Sequence, residues 1–170
     1  DDDTIRAHLG DTGLGMIRAE EAGLPIPPRI VVAAGASRVY LETGAFPDGL
    51  DDQLESGIRT LEARTGKSFG GTENPLIVHV QSAPRRLMPG VMRTLDAVGL
   101  TTDTCAALAD LSGDAAFFHR MLAHAVVAFA GEIHGIDRAR FDAAWEGWGV
   151  DRSTWEWRTI AASCLDLYRE

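Results

Sequence analysis

Two stretches hold residues whose types and spacing could do chemistry. One is Gly10-Asp11-Thr12-Gly13-Leu14-Gly15, which opens a helical pattern. The other begins at Gln81-Ser82, runs through Arg85-Arg86 and closes on Met88-Pro89-Gly90, directly after a buried-strand pattern at 77–80. Glycines let backbone N–H groups approach a phosphate closely, and arginines neutralise it through charged hydrogen bonds. Anion binding is therefore the chemistry these residues suit. Taken alone, each stretch also has a plainer account. Gly10, Gly13 and Gly15 read equally as a helix entry, because a lone Gly-rich turn has low specificity. Arg85-Arg86 reads equally as an ordinary exposed turn.

The other reactive side chains point mostly to structure. His119 and His124 are five apart, a poor metal spacing, and His134 lies ten residues further on. Helix-surface or satisfied core histidines are expected there. His79 sits mid-strand, where a site shared with acidic side chains near the turn is the open alternative. Cys105 and Cys164 are far apart in apolar helical patterns and read as buried small hydrophobes. They form neither a disulfide framework nor a zinc spacing. Trp145, Trp148, Trp155 and Trp157 cluster near the end, as packing for the last helices or else as an exposed binding patch. Glu20-Glu21 and Asp51-Asp52 read as solvated helix positions.

The elements that must position these residues follow from pattern. Asp1-Asp2-Asp3 is an acidic start suited to an N-cap. The Gly-rich turn leads a helix that Gly23 ends. Leu24-Pro25-Ile26-Pro27-Pro28 forces extended backbone, and Ile30–Ala33 reads as a short strand. Short helices are expected near 37–42 and 51–64, the second with Leu54, Ile58 and Leu61 on one buried face. Gly66 stops it, and a turn at 70–75 leads to a strand at 76–80. From about residue 101 the pattern is helical. A helix near 114–133 is expected to bury Phe118, Leu122, Ala125, Phe129 and Ile133. Two more helices are expected near 138–147 and 153–169, with Ser153 and Glu156 forming a capping box.

Bulk properties bound the function. The chain has 170 residues and a net charge of −9, the size of one domain or two small subdomains. The acidic balance argues against nonspecific nucleic-acid binding. No apolar run approaches the roughly 18 residues of a membrane helix, and no signal peptide is visible. A reducing, cytoplasmic setting without membrane attachment is expected.

Residues 61–100, "LEARTGKSFGGTENPLIVHVQSAPRRLMPGVMRTLDAVGL", resemble the N-terminal nucleotide-binding domain of the pyruvate phosphate dikinase family, densely and nearly without gaps. Residues 9–32, "LGDTGLGMIRAEEAGLPIPPRIVV", resemble the Gly-rich opening of the same domain. Residues 101–170 resemble, more weakly, the helical insert that follows it. The resemblance implies an α+β fold: a partial ATP-grasp N-terminal subdomain over 1–100, then an all-helical subdomain over 101–170. It implies ATP in a cleft between this half and a second one. Thr12, Gly13, Gln81, Ser82, Arg85, Arg86, Met88 and Gly90 would face the nucleotide.

The sequence departs from the family pattern at two cations. Thr12 stands where the family has a phosphate-contacting lysine, and Gln81 where it has a phosphate-contacting arginine. Two lost charged hydrogen bonds cost about 3–6 kcal/mol, or roughly two to four decades in affinity. Arg85 matches the family and Arg86 is an addition. ATP with Mg is thus the implied cofactor, with weakened binding. The second ATP-grasp half, which brings the metal ligands, would begin where this sequence stops, as would the phosphohistidine and pyruvate-binding domains. Dikinase activity of the chain alone is not expected. Three readings follow: a nucleotide-binding fragment or subunit completed by a chain carrying the second half; a degenerate standalone relative repurposed for another small molecule; or a non-catalytic interaction subunit using the Trp-rich end.

Overall fold

The computed structural model describes residues 1–84, 94–141 and 154–169, without the side chains of 154–156. It is a mixed α and β structure dominated by helix. The described residues form two compact units: 1–66 with 81–84, and 67–80 with 94–141 and 154–169.

The first unit opens with helix α1, Asp2–Glu21. The Asp1 carboxylate caps it by accepting from the Thr4 N–H at 2.8 Å, and Asp2 and Asp3 follow in the first turn. Acidic side chains there complement the positive end of the helix dipole. Residues 2–9 are therefore helical, beyond the cap role expected of the acidic start. Gly10 breaks the helix with φ 70° and ψ 178°, a region essentially reserved for glycine. Arg18, in the second piece, reaches back across this break to pair with Asp2 in the first.

Residues 24–33 are extended but make no sheet ladder. The strand expected at Ile30–Ala33 does not form. Its residues find no partner strand among the described residues, and β-propensity expresses itself only through such partners. Ile30 instead packs on α3, where a Cβ at Gly57 would lie 3.0 Å from its side chain. Val31 and Val32 stay exposed. Helix α2 is Ala34–Thr43 and α3 is Leu50–Thr65. Leu61 is buried, Leu54 and Ile58 half-buried, and Gly66 closes α3, all as the spacing predicts.

In the second unit, β1 (Ser68–Phe69) pairs in parallel with β2 (Pro75–Leu76), Ser68 opposite Pro75 and Phe69 opposite Leu76. β3 (Val78–Gln81) pairs with β4 (Thr94–Val98). The strand expected at 76–80 is thus real but split at Ile77, and β4 is an addition that sequence reading missed. Helix α4 is Thr102–Ser112. Its start is a reciprocal cap: the Thr101 hydroxyl accepts from the Thr104 N–H at 3.2 Å, and the Thr104 hydroxyl accepts from the Thr101 N–H at 2.7 Å. Thr104 is fully buried and also donates to the Gly99 carbonyl at 3.0 Å, which satisfies the hydroxyl.

Helix α5, Ala115–His134, is the hub of this unit, and a 3-10 turn follows at Arg138–Phe141. Helix α6, Thr154–Arg169, packs along α5. The core joins Leu122, Ala123, Val126, Val127 and Ala130 of α5 to Cys105, Phe141, Trp157, Ile160, Ala161 and Cys164. The α5 face differs from the expected one. Leu122 is buried and Phe118 packs at the core margin, but Phe129 and Ile133 are exposed. An almost uniformly apolar helix offers several possible stripes, and α4, α6 and β4 select the one they touch. The helix expected at 138–147 shows only its 3-10 start; its remainder and Ser153 lie outside the described residues.

Candidate functional site

The Gly-rich turn and the segment leaving β3 meet within the first unit. A Cβ built on Gly10 would lie 2.5 Å from the Pro84 carbonyl oxygen and 2.7 Å from that of Ala83. Only glycine permits both this approach and this backbone conformation. Gly13 is tight for a different reason: a Cβ there would come 2.5 Å from the Leu9 Cβ, across the break. Gly15 has nothing within 4 Å. Two of the three glycines are therefore structural necessities, and the third is spare.

The break matters because a helix that starts afresh leaves its first N–H groups without intrahelical acceptors. Those groups, with the helix dipole, make a site for an anion. Thr12 lies in this first turn, and its Oγ1 is buried without a hydrogen-bond partner among the described residues. A buried hydroxyl left unpaired costs about 1–3 kcal/mol, so an added polar group here would be well received. Asp11 lies in the same turn and works against an anion. Its carboxylate accepts from Arg6 Nε at 2.7 Å, and Asp3 takes Arg6 Nη1 at 2.9 Å. The hydrogen bond to Asp11, aided by the surrounding carboxylates, raises the Arg6 pKa above its ordinary value.

Thr12 and Gly13 thus lie at the helix start, while Gln81 and Ser82 are exposed at the end of β3. Arg85, Arg86, Met88 and Gly90 lie outside the described residues. The sequence did not single out Arg6, Asp11 or the Ala83–Pro84 backbone. Arg6 and Asp11 are five apart, outside the helix-pairing spacings, and meet only across the break; Ala83 and Pro84 carried no signal.

The remaining candidates fall in the second unit. His79 Nδ1 lies 2.7 Å from Asp96 Oδ1 between β3 and β4, with both side chains mostly exposed. His119 Nδ1 donates to the Ala115 carbonyl at 2.7 Å, and His134 Nε2 is 3.0 Å from the Tyr168 hydroxyl. His124 titrates below the ordinary histidine value through burial and through the charges of Arg120 and Arg138. Among the described residues no three His, Cys, Asp or Glu side chains group as a metal site. Both cysteines are buried thiols, pushed up to about 11 by desolvation. Trp157 is a core residue; Trp145, Trp148 and the Trp155 side chain lie outside the described residues. No described helix is long and apolar enough to cross a membrane.

No family model matches the chain. Individual proteins do. Pyruvate, phosphate dikinase of Rhizobium meliloti (strain 1021) is 34% identical over 142 residues, 83% of this chain and 16% of that protein. The chain is related to pyruvate, phosphate dikinases. The dikinase of Entamoeba histolytica is 31% identical over 152 residues, covering 89% of this chain and 17% of that protein. That of Rickettsia conorii is 36% identical over 115 residues, covering 67% and 13%. The chain therefore spans 13–17% of the length of these curated dikinases.

Proposed function

We propose that the chain is a nucleotide-binding segment of a dikinase-like phosphotransferase. The phosphates of ATP would lie between the start of the helix at 11–21 and the segment leaving β3. The observation that carries this reading is the packing of the Ala83 and Pro84 carbonyls on Gly10. It joins, in one unit, the two stretches that the dikinase resemblance aims at the phosphates. The positive end of the helix dipole and the Thr12 hydroxyl, which is buried without a partner among the described residues, suit phosphate oxygens. Arg85 and Arg86 would supply the cations missing at Thr12 and Gln81. The dikinase resemblance implies that the Mg ligands come from a second ATP-grasp half, and on that reading the chain alone would not transfer phosphoryl groups.

Calorimetric titration with Mg-ATP tests this, with Arg85→Ala beside the parent chain. Micromolar binding that the substitution abolishes supports it. Absence of binding up to about 1 mM overturns it, since that limit is only about −4 kcal/mol.

One observation favours a second reading, a scaffold turned to another small molecule. Asp11 places a carboxylate at the helix start and holds it there through Arg6. A cationic or neutral ligand would suit that turn better than a triphosphate. A ligand screen on the full chain, read by shifts at residues 10–13, separates the two readings.

A further inference from the structure

A cleft lies in the second unit and includes no residue of the first. It has a volume of about 450 Å³ and runs between β4 and α5, lined by Asp96, Phe117, Arg120, Met121, His124 and Ala125 among others. That volume falls within the range of about 300–1,000 Å³ typical of small-molecule sites.

Its charges are unusually placed. The Arg120 guanidinium lies 5.8 Å from the centre of the Phe117 ring and 6.0 Å from that of Trp157. Rings stabilise a guanidinium from its face and leave its in-plane N–H donors unused. No carboxylate pairs with Arg120 among the described residues. Its charge is nonetheless felt on the cleft wall, where it helps hold His124, one turn further along α5, in the neutral form. The opposite charge stands on the β4 side. Asp96 spends one oxygen on His79, and a carboxylate has about four acceptor positions. Beside it Ala97 is buried with φ 59°, a left-handed conformation that costs a non-glycine residue about 1–2 kcal/mol. Strain of this kind collects at ligand clamps.

We propose that this cleft binds a free amino acid with an apolar side chain. Its carboxylate sits on the in-plane donors of Arg120 and its ammonium on Asp96. Its side chain covers Met121 and Ala125. A cation on α5 and an anion on β4, both lining the cleft, match a zwitterion and leave neither end unpaired.

The test is an NMR titration of the full chain with L-phenylalanine, 3-phenylpropionate and phenethylamine, following amides at 95–98 and 117–128. L-Phenylalanine is expected to saturate these shifts and to bind more tightly than either single-charge analogue. Arg120→Met should weaken L-phenylalanine and 3-phenylpropionate about tenfold or more, and Asp96→Asn should weaken L-phenylalanine but not 3-phenylpropionate. Arg120→Lys keeps charge and stem, and intermediate affinity is expected if Arg120→Met does not fold. The proposal is overturned if none of the three compounds saturates by about 20 mM, a limit weaker than the millimolar scale, if the shifts map elsewhere, or if Arg120 and Asp96 variants bind like the parent. Mg-ATP binding is a separate readout, since no residue of the first unit takes part.

Discussion

Arg6 donates from Nε to the Asp11 carboxylate across the break at Gly10, at 2.7 Å. The pair fixes a negative charge at the start of the helix at 11–21, where the phosphates are proposed to lie. Neutralising it should help an anion. Asp11→Asn is expected to raise Mg-ATP affinity several-fold in calorimetry, because like charges about 4 Å apart cost about 1 kcal/mol even in water. Unchanged affinity would put the phosphates away from this helix start.

The glycines of the same turn should respond oppositely. Gly10→Ala adds a Cβ 2.5 Å from a carbonyl oxygen at φ 70° and is expected to destabilise by at least the roughly 1–3 kcal/mol of that backbone region. Gly15→Ala meets nothing within 4 Å and should stabilise by about 0.5–1 kcal/mol through helix propensity. Thermal unfolding of the two variants should move in opposite directions. A stable Gly10→Ala protein would show that the contact with Ala83 and Pro84 is dispensable.

Cys105 and Cys164 should be silent to thiol reagents. Both are buried, and desolvation pushes each thiol up to about 11, so the reactive thiolate is rare at neutral pH. Titration with a chromogenic disulfide should label neither in the native protein and both in guanidinium. Fast native labelling of one would reveal local opening between α5 and its neighbours.

His124 gives a pH dependence of defined sign. Burial first, then Arg120 and Arg138, lowers its folded pKa below the ordinary value of 6.5. The unfolded chain therefore binds the proton more readily, and stability rises with pH through the window just below 6.5. This contribution is complete above the unfolded value and is lost as pH falls through the folded one. His124→Gln should flatten that slope in denaturant melts recorded across the window. Arg120→Met should move the His124 titration upward in NMR, and an unmoved titration would mean that the two charges do not communicate.

The helices were legible because their signals are local. The face of α3 follows from Leu54, Ile58 and Leu61, and its end from Gly66. The errors came where partners decide. Ile30–Ala33 has the residues of a strand and lacks the ladder. Thr94–Val98 pairs with β3 although Asp96 and Ala97 weaken its strand character. The buried face of α5 depends on α4, β4 and α6, which no window of one helix contains. At the candidate site, the Gly-rich turn was visible, but its contact with Ala83 and Pro84 spans more than seventy positions of chain, beyond the reach of any spacing rule. The charge pair Arg6–Asp11 was not readable either, since five residues is outside the three- and four-residue spacing at which helix side chains meet and only the break at Gly10 brings the two together.

The route of the chain also governs how it can be synthesised. After α3 the chain leaves the first unit, lays down β1, β2 and most of β3 in the second, and only then returns at 81–84 to seat Ala83 and Pro84 on Gly10. The break in α1 therefore lacks its lock until residue 84 has emerged from the ribosome. The strands of the second unit, made earlier, wait in turn for β4 and α5. Between about residues 67 and 84 the nascent chain therefore carries two incomplete cores at once; the first can close when residue 84 has emerged and the second only after α6, the long-range order of contacts associated with slow folding. A chaperone holding the first eighty-odd residues would bridge that interval.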